Sequence, residues 1–312
     1  MSVLHNLVHK ALKNQVAWSL AKNLRFSKNE LYIFNFHQVT DFPAEFVRQA
    51  RISVTLEKFK QIIDFIDEHF TIIDPQELEK LNPTSKPQAL ITFDDAWSGI
   101  YNAICAILAP RKIKPIVFLN YGTIISGVDL SAARAYVIQL DSMSYSLRDE
   151  DFAKKFELEL QNSNDFRNYQ GDLITETQIQ HLDKESLCIF GNHLFRHHNS
   201  AQLSDNEFVE SFLQNKMYLD KLVNGKGYSL FAFPFGDPNS HWTPSQLQYL
   251  LSQKNRVFFT GNRKNSISRT RATYLYGRFH LGVGGETIQQ IWIKVRKSRL
   301  LEVDAILRTC GL

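Results

Sequence analysis

The sequence predicts an α/β fold built on a mainly parallel sheet. Three observations predict it. Short runs rich in Ile, Val, Phe and Tyr recur along the chain, each ending in polar residues. The stretches between them carry helix-start signals and apolar residues at helical spacing. The chain, 312 residues long, shows no internal repeat and no Pro/Gly/Ser linker. Strands alternating with helices imply βα units, and a barrel of such units commonly takes this much chain in one domain.

The apolar runs are LYIFNFHQV (31–39), ALITFDD (89–95), IKPIVFLN (113–120), SLCIFGNH (186–193), YSLFAFPFGD (228–237), NRVFFTGN (255–262) and TYLYGRFH (273–280). They are too short for helices and read as buried strands. Between them, Thr55 precedes a stretch with Phe59, Ile62, Ile63 and Ile66 on one face. Asp74-Pro75 opens a short helix, with Pro at its first position. Thr175 with Gln178, and Ser204 with Glu207, have capping-box spacing. Thr243-Pro244 starts another helix.

Three segments stand apart from this rhythm. Residues 1–30 have helical apolar spacing (Val3, Leu4, Leu7, Val8, Leu12, Val16, Leu20, Leu24) with Lys and Arg between, and predict an amphipathic packing helix. Residues 129–172 are charged and helical in pattern, and predict an insertion near the mouth of the fold. Residues 286–312 predict a C-terminal amphipathic helix, with Lys294, Arg296, Lys297 and Arg299 on a solvated face.

Hydrophobic residues make up 44% and charged residues 22%, an ordinary globular balance that argues against disorder or a collagen-like chain. Lys+Arg 36 against Asp+Glu 32 gives a net charge of +4, too weak a field to point to nucleic acid, and no nucleic-acid partner is expected. Three widely spaced cysteines without a CxxC pair suit neither a zinc ribbon nor a disulfide framework. No signal-peptide pattern and no apolar run of transmembrane length is visible. The expectation is a cytoplasmic protein, with peripheral contact to the inner membrane through the basic N-terminal helix as the minority reading.

In parallel α/β folds, reactive groups gather at the carboxyl ends of strands. Here those ends carry His37, Asp94-Asp95, Asn120, His193, Asp237, Asn262 and His280. ITFDDAW delivers two adjacent carboxylates. Neighbours on a strand point in opposite directions, so one can hold a cation while the other stays free as a base. FGNHLFRHH places His193 and His197 four apart. On a helical turn both imidazoles would reach one ion, with His198 pointing elsewhere. Two histidines and one carboxylate give three ligands with an open position, the catalytic rather than structural zinc pattern. FAFPFGDP makes a rigid turn able to present backbone N–H groups.

In the order DD, HxxxH, FPFGD, these motifs resemble the polysaccharide deacetylase family, the carbohydrate esterases that include chitin and peptidoglycan deacetylases. FHQVTD, VTLEKFKQIIDFI and KPIVFLNYG add weaker signposts, and the resemblance covers roughly 31–280. It implies a distorted (β/α) barrel of about seven parallel strands over 31–285, with the helical insertion at about 129–172. It implies Asp94 as general base and Asp95, His193 and His197 as ligands of a divalent metal, Zn2+ being the expected ion. It also implies Phe235 as oxyanion-holding N–H, and His280 as general acid. Ala232 stands where relatives often carry an Arg that tethers the base, so Arg278 is the candidate for orienting Asp94. The implied activity is removal of an N-acetyl group from an amino sugar or polysaccharide. Two alternatives use the same motifs: a catalytically degenerate sugar-binding barrel, and a deformylase or deacylase of a nucleotide- or lipid-linked sugar. Trp97, Tyr121 and Trp242 are candidate sugar-stacking residues, with rim packing the competing reading.

Overall fold

The computed structural model describes residues 26–140, 147–223, 229–237, 240–282 and 285–312. Most of the expected N-terminal helix over 1–30 therefore lies outside the described residues. Seven parallel strands follow the seven apolar runs: β1 (Glu30–Phe36), β2 (Gln88–Asp94), β3 (Ile116–Leu119), β4 (Ile189–Asn192), β5 (Leu230–Ala232), β6 (Arg256–Phe259) and β7 (Leu275–Gly277). Each pairs with the next in sequence, from β1 through β7. Immediately after β7, Phe279 and His280 pair in parallel with Phe34 and Asn35 of β1. The chain thus crosses from one sheet edge to the other at Arg278, and the sheet nearly closes into a (β/α) barrel.

The interior follows from the strand period of two. Leu31, Ile33, Leu90, Ile116, Phe118, Leu230, Ala232, Phe258 and Tyr276 form one buried cluster that fills the barrel. Their neighbours Tyr32, Phe34, Phe36, Ile91, Phe93 and Val117 belong to the layer beneath the surrounding helices. Continuing the inward phase by two residues reaches Asn35 on β1, Thr92 and Asp94 on β2, and His193 just past β4. The barrel is therefore apolar below and polar at its carboxyl-end rim, and the switch occurs within single strands.

The helix starts behave as their sequences dictate. Thr55 accepts a hydrogen bond from the Lys58 N–H, and reciprocal capping boxes form at Thr175/Gln178, Ser204/Glu207 and Thr243/Gln246. The 129–172 segment forms helices Leu130–Leu140, Asp149–Gln161 and Asn164–Gln170. One expectation needs correction. The tail is not one helix: Ile288–Lys297 ends at Ser298, whose backbone is extended, and a second helix spans Val303–Thr309. Between them Arg299–Leu300 pairs with Arg263–Lys264, part of a strand (Arg263–Ser266) that also runs antiparallel to the start of β1. Strand pairing outcompetes helical continuation there. No described helix is long and apolar enough to cross a membrane.

Gly191 tests the interior packing. A Cβ at that position would lie 2.5 Å from Phe118 Cδ1. Gly191→Ala should therefore destabilise the fold by about 1–3 kcal/mol, as overpacked cores do. Urea unfolding that shows no loss would contradict the inward placement of this strand residue.

Candidate functional site

Asp94 ends β2 facing inward and is 3% exposed. Arg278, fully buried, meets it in a fork: Nη1 donates to Oδ1 at 2.6 Å and Nη2 to Oδ2 at 2.8 Å. Asn35 Nδ2 donates to Oδ2 at 2.8 Å, and Thr92 Oγ1 donates to Asn35 Oδ1 at 2.8 Å. The guanidinium also lies over the Phe118 ring, 5.2 Å from its centroid. Burial alone would raise the Asp94 pKa; the Arg278 and His193 charges outweigh it and hold the carboxyl below its ordinary value. The candidate tether for Asp94 is thus in place, delivered by the residue that closes the barrel.

Asp95 would face outward if β2 continued. Instead its backbone takes a left-handed φ of 70° and the carboxylate turns back over the rim. The strand-alternation reading of the two carboxylates is corrected by this turn: both line the same cleft. Asp95 Oδ2 accepts from Trp97 Nε1 at 3.1 Å. Oδ1 is buried and makes no hydrogen bond. It faces His197 Nε2 at 3.1 Å and His193 Nε2 at 3.4 Å. Burial raises the Asp95 pKa, but His197, His193 and His37 together carry it well below the carboxylate range.

The two histidines do converge, though not on a helical turn. His193 follows β4, and the loop beyond it is irregular, with left-handed Leu194 (φ 60°) and His197 (φ 48°). Buried amides shape this loop. Asn192 Oδ1 accepts from the Leu194 N–H at 2.9 Å, and Asn192 Nδ2 donates to Phe212 O at 2.9 Å. Asn215, on helix Asp205–Leu222, donates to Asn192 Oδ1 at 2.8 Å and Leu119 O at 2.7 Å, and accepts from the Tyr121 N–H. Sequence reasoning missed Asn215; its one visible signal was an amide among the apolar positions of a helix.

Phe235 is also left-handed (φ 61°). The turn's own bonds run from Gly236 N–H to Pro234 O and from Thr260 Oγ1 to Phe235 O, so the Phe235 N–H is not spent in it. Its ring packs 4.9 Å from that of His197. Of the ten described non-glycine residues with positive φ, three (Asp95, His197 and Phe235) line this cleft and a fourth, Leu194, lies in the loop between its histidines. Strained backbone concentrates where the surroundings hold it for a task.

The His37 and His280 rings meet at the cleft with centroids 4.5 Å apart, tilted 43° to one another. Burial, and then the neighbouring His37, lower the His280 pKa to about 3. Burial also lowers that of His37, with Asp95 and Asp94 opposing it. The half-buried His280 ring beside a second imidazole thus favours its neutral form. Of the aromatic candidates, only Trp97 lines the cleft, and it does so buried. Tyr121 is buried and donates to Glu176, while Trp242 packs on Phe233 and Phe259. Asn120, Asp237 and Asn262 stay out of the cleft lining. Asp129 and Ser131 of the insertion enter it, which sequence reasoning did not single out.

The cleft holds about 350 Å3 around these groups. A second lobe of about 390 Å3 shares Ser131, His197, Phe235 and His241 with it, and runs along helix Leu130–Leu140. Within the first lobe, one carboxylate oxygen and two imidazole nitrogens lie within 4.8 Å of one another. With Asp95 Oδ1 left bare, that donor set fits a divalent ion.

A nearly closed barrel bearing such a rim has the make-up of a hydrolase centre. The family model described as polysaccharide deacetylase matches residues 81–250, more than half of the chain. The chain belongs to the polysaccharide deacetylase family, hydrolases of N-acetylated polysaccharides that as a class depend on metal. Solved structures agree in fold. The Streptococcus pyogenes deacetylase PplD, solved with acetate, is 17% identical with a TM-score of 0.61, over 85% of this chain and 98% of that one. IcaB from Ammonifex degensii is 17% identical with a TM-score of 0.58, over 88% and 100%. A de-N-acetylase from Aggregatibacter actinomycetemcomitans is 15% identical with a TM-score of 0.56, over 85% and 99%. No curated protein matches the chain in sequence.

The buried pair yields a pH prediction. The folded pKa of Asp94 lies below its unfolded value of about 3.9, so the unfolded chain takes up the proton first as pH falls. The stabilisation is present above about pH 4 and is lost as pH falls through the folded value. Arg278→Met should lose about 3–5 kcal/mol at pH 7, because it strands a buried charge. That deficit should shrink in acid, as the stranded carboxyl protonates. Denaturation curves showing a deficit independent of pH would contradict the pairing.

Proposed function

We propose that this protein removes N-acetyl groups from amino-sugar units of a polysaccharide by metal-dependent hydrolysis, with Zn2+ the ion. The observation that carries the reading is the meeting of Asp95, His193 and His197 beside an Arg278-bound Asp94 on the cleft floor. Asp95 Oδ1 and the two Nε2 atoms would hold the ion. When bound, a divalent ion there polarises the amide carbonyl and lowers the pKa of water from about 15.7 toward about 7.

The protein's own groups do the rest. Asp94 accepts one hydrogen bond at Oδ1 and two at Oδ2, of roughly four lone-pair positions a carboxylate offers. A position on Oδ1 remains to take the proton of the attacking water. With its pKa held low, Asp94 is in the base form throughout the neutral range. Asn35 and Arg278 fix its orientation, so little reorganisation accompanies the transfer. The Phe235 N–H, free of its own turn, donates to the carbonyl oxygen as negative charge develops there.

Collapse then breaks the C–N bond, with water's OH on the acetyl carbon and a proton needed on the leaving nitrogen. Asp94 supplies it, being a strong acid once protonated. His280 stands neutral at pH 7, as its pKa of about 3 requires. It and His37 line the cleft as neutral imidazoles and not as a standing imidazolium. Products are acetate and the free amine. The second lobe extends the cleft past a single reacting unit, which suits a chain of sugars over a monosaccharide.

The test is acetate release from N-acetylglucosamine and its oligomers by Zn2+-loaded protein. Wild type should turn over oligomers with higher kcat/KM than the monomer. Asp94→Asn and His193→Ala should each lose at least about 100-fold in kcat, the scale of general acid–base catalysis. Turnover equal in all three would remove the reading, and formate release from N-formylglucosamine without acetate release from the N-acetyl substrates would move it to a deformylase. His280→Ala should lower kcat. If that substitution abolishes a fall in wild-type kcat between pH 6 and 7, His280 works as an imidazolium and the neutral-ring assignment fails.

A further inference from the structure

The two imidazoles facing Asp95 are held in unequal ways. His193 is anchored by backbone: its N–H donates to Leu119 O at 3.1 Å, and its Nδ1 lies 2.8 Å from Ala232 O. That acceptor fixes the Nδ1–H tautomer and aims Nε2 at Asp95. His197 has no such neighbour strand. Its backbone is left-handed in an irregular loop, so side chains must orient its ring. Its Nδ1 lies 3.3 Å from Ser131 Oγ.

Ser131 is the second residue of helix Leu130–Leu140, in the inserted segment. Its place is rigidly set. Asp129 caps that helix: Oδ1 accepts from the Ala132 N–H at 2.9 Å, and the backbone O from the Ala133 N–H at 2.8 Å. The Asp129 N–H donates to Gln170 Oε1 at 2.6 Å, and Gln170 Nε2 donates to Gly127 O at 3.1 Å. Gln170, 2% exposed, ends the insertion's last helix, so the insertion clamps its own first turn against the site.

We propose that Ser131 is a positioning residue for His197: its Oγ accepts the Nδ1 proton, which locks the tautomer that leaves Nε2 to bind the ion. The inserted helices thereby complete the metal site from outside the barrel. This rests on the metal-dependent reading above and adds a partner outside the three-ligand set. Outer hydrogen bonds of this kind orient ligating histidines and raise their basicity.

The experiment measures Zn2+ affinity by competition with a chromophoric chelator, on full-length chelator-stripped protein, for wild type, Ser131→Ala, Ser131→Thr and His193→Ala. Ser131→Ala should weaken Zn2+ binding about 10- to 100-fold, with the melting temperature of the metal-free protein unchanged. Ser131→Thr, which keeps the hydroxyl, should stay near wild type. Wild-type binding that His193→Ala weakens and Ser131→Ala does not would overturn this inference alone. Equal losses in Ser131→Ala and Ser131→Thr would overturn it too. Wild type that binds no Zn2+ would overturn both this inference and the reading beneath it.

Discussion

The buried fork between Arg278 and Asp94 is the interaction on which the rest of the structure turns. Arg278 sits where the chain leaves β7 and joins β1, so the residue that closes the barrel is the one that holds the base. A buried charge pair is weak evidence for stability, because desolvation offsets attraction. Its value here is geometric. Two parallel hydrogen bonds, with Asn35 as a third donor, leave the carboxylate one orientation. Thr92 and Asn35 extend the network down the barrel wall, and Phe118 supports the guanidinium from below.

Above that polar layer, irregular backbone does what regular strands cannot. A continuing strand would send Asp95 under the helices, and a helical turn after β4 would have needed no special conformations. Left-handed residues at Asp95, Leu194, His197 and Phe235 aim three donors and one backbone N–H at a common region. Buried asparagines hold the loops that carry this strain, as Asn192 and Asn215 do for the histidine loop. The rim is thus assembled by side-chain amides and one arginine, on a barrel whose lower half is apolar filling.

Much of this was legible in the sequence. Each β-run ended in polar residues because the inward phase of a strand passes from core to rim, so the runs showed both the strands and the candidate site. Asp94, Asp95, His193 and His197 stood out because the two motifs occur together at strand ends in the order the family resemblance implies, and Arg278 became a candidate because that resemblance puts a tethering Arg where this chain has Ala232. Less visible were features set by tertiary context. Nothing local shows that Asp95 or His197 adopts positive φ, since neither is glycine. The pKa of His280 depends on its burial and then on His37, more than two hundred residues away in the chain. Asn215 and Ser131 read as ordinary helical polar residues until the loops they contact are placed. The tail read as one helix because its apolar spacing continues through the pair Arg299–Leu300, which strand pairing then claims.

The central claim is that Asp95, His193 and His197 form one ion site. Metal content of the purified protein, measured by inductively coupled plasma mass spectrometry after loading and exhaustive dialysis, tests it directly. One divalent ion per wild-type chain, reduced to a small fraction in Asp95→Ala and His197→Ala, is the predicted result. Wild-type protein without bound ion, or variants that retain it fully, would contradict the account.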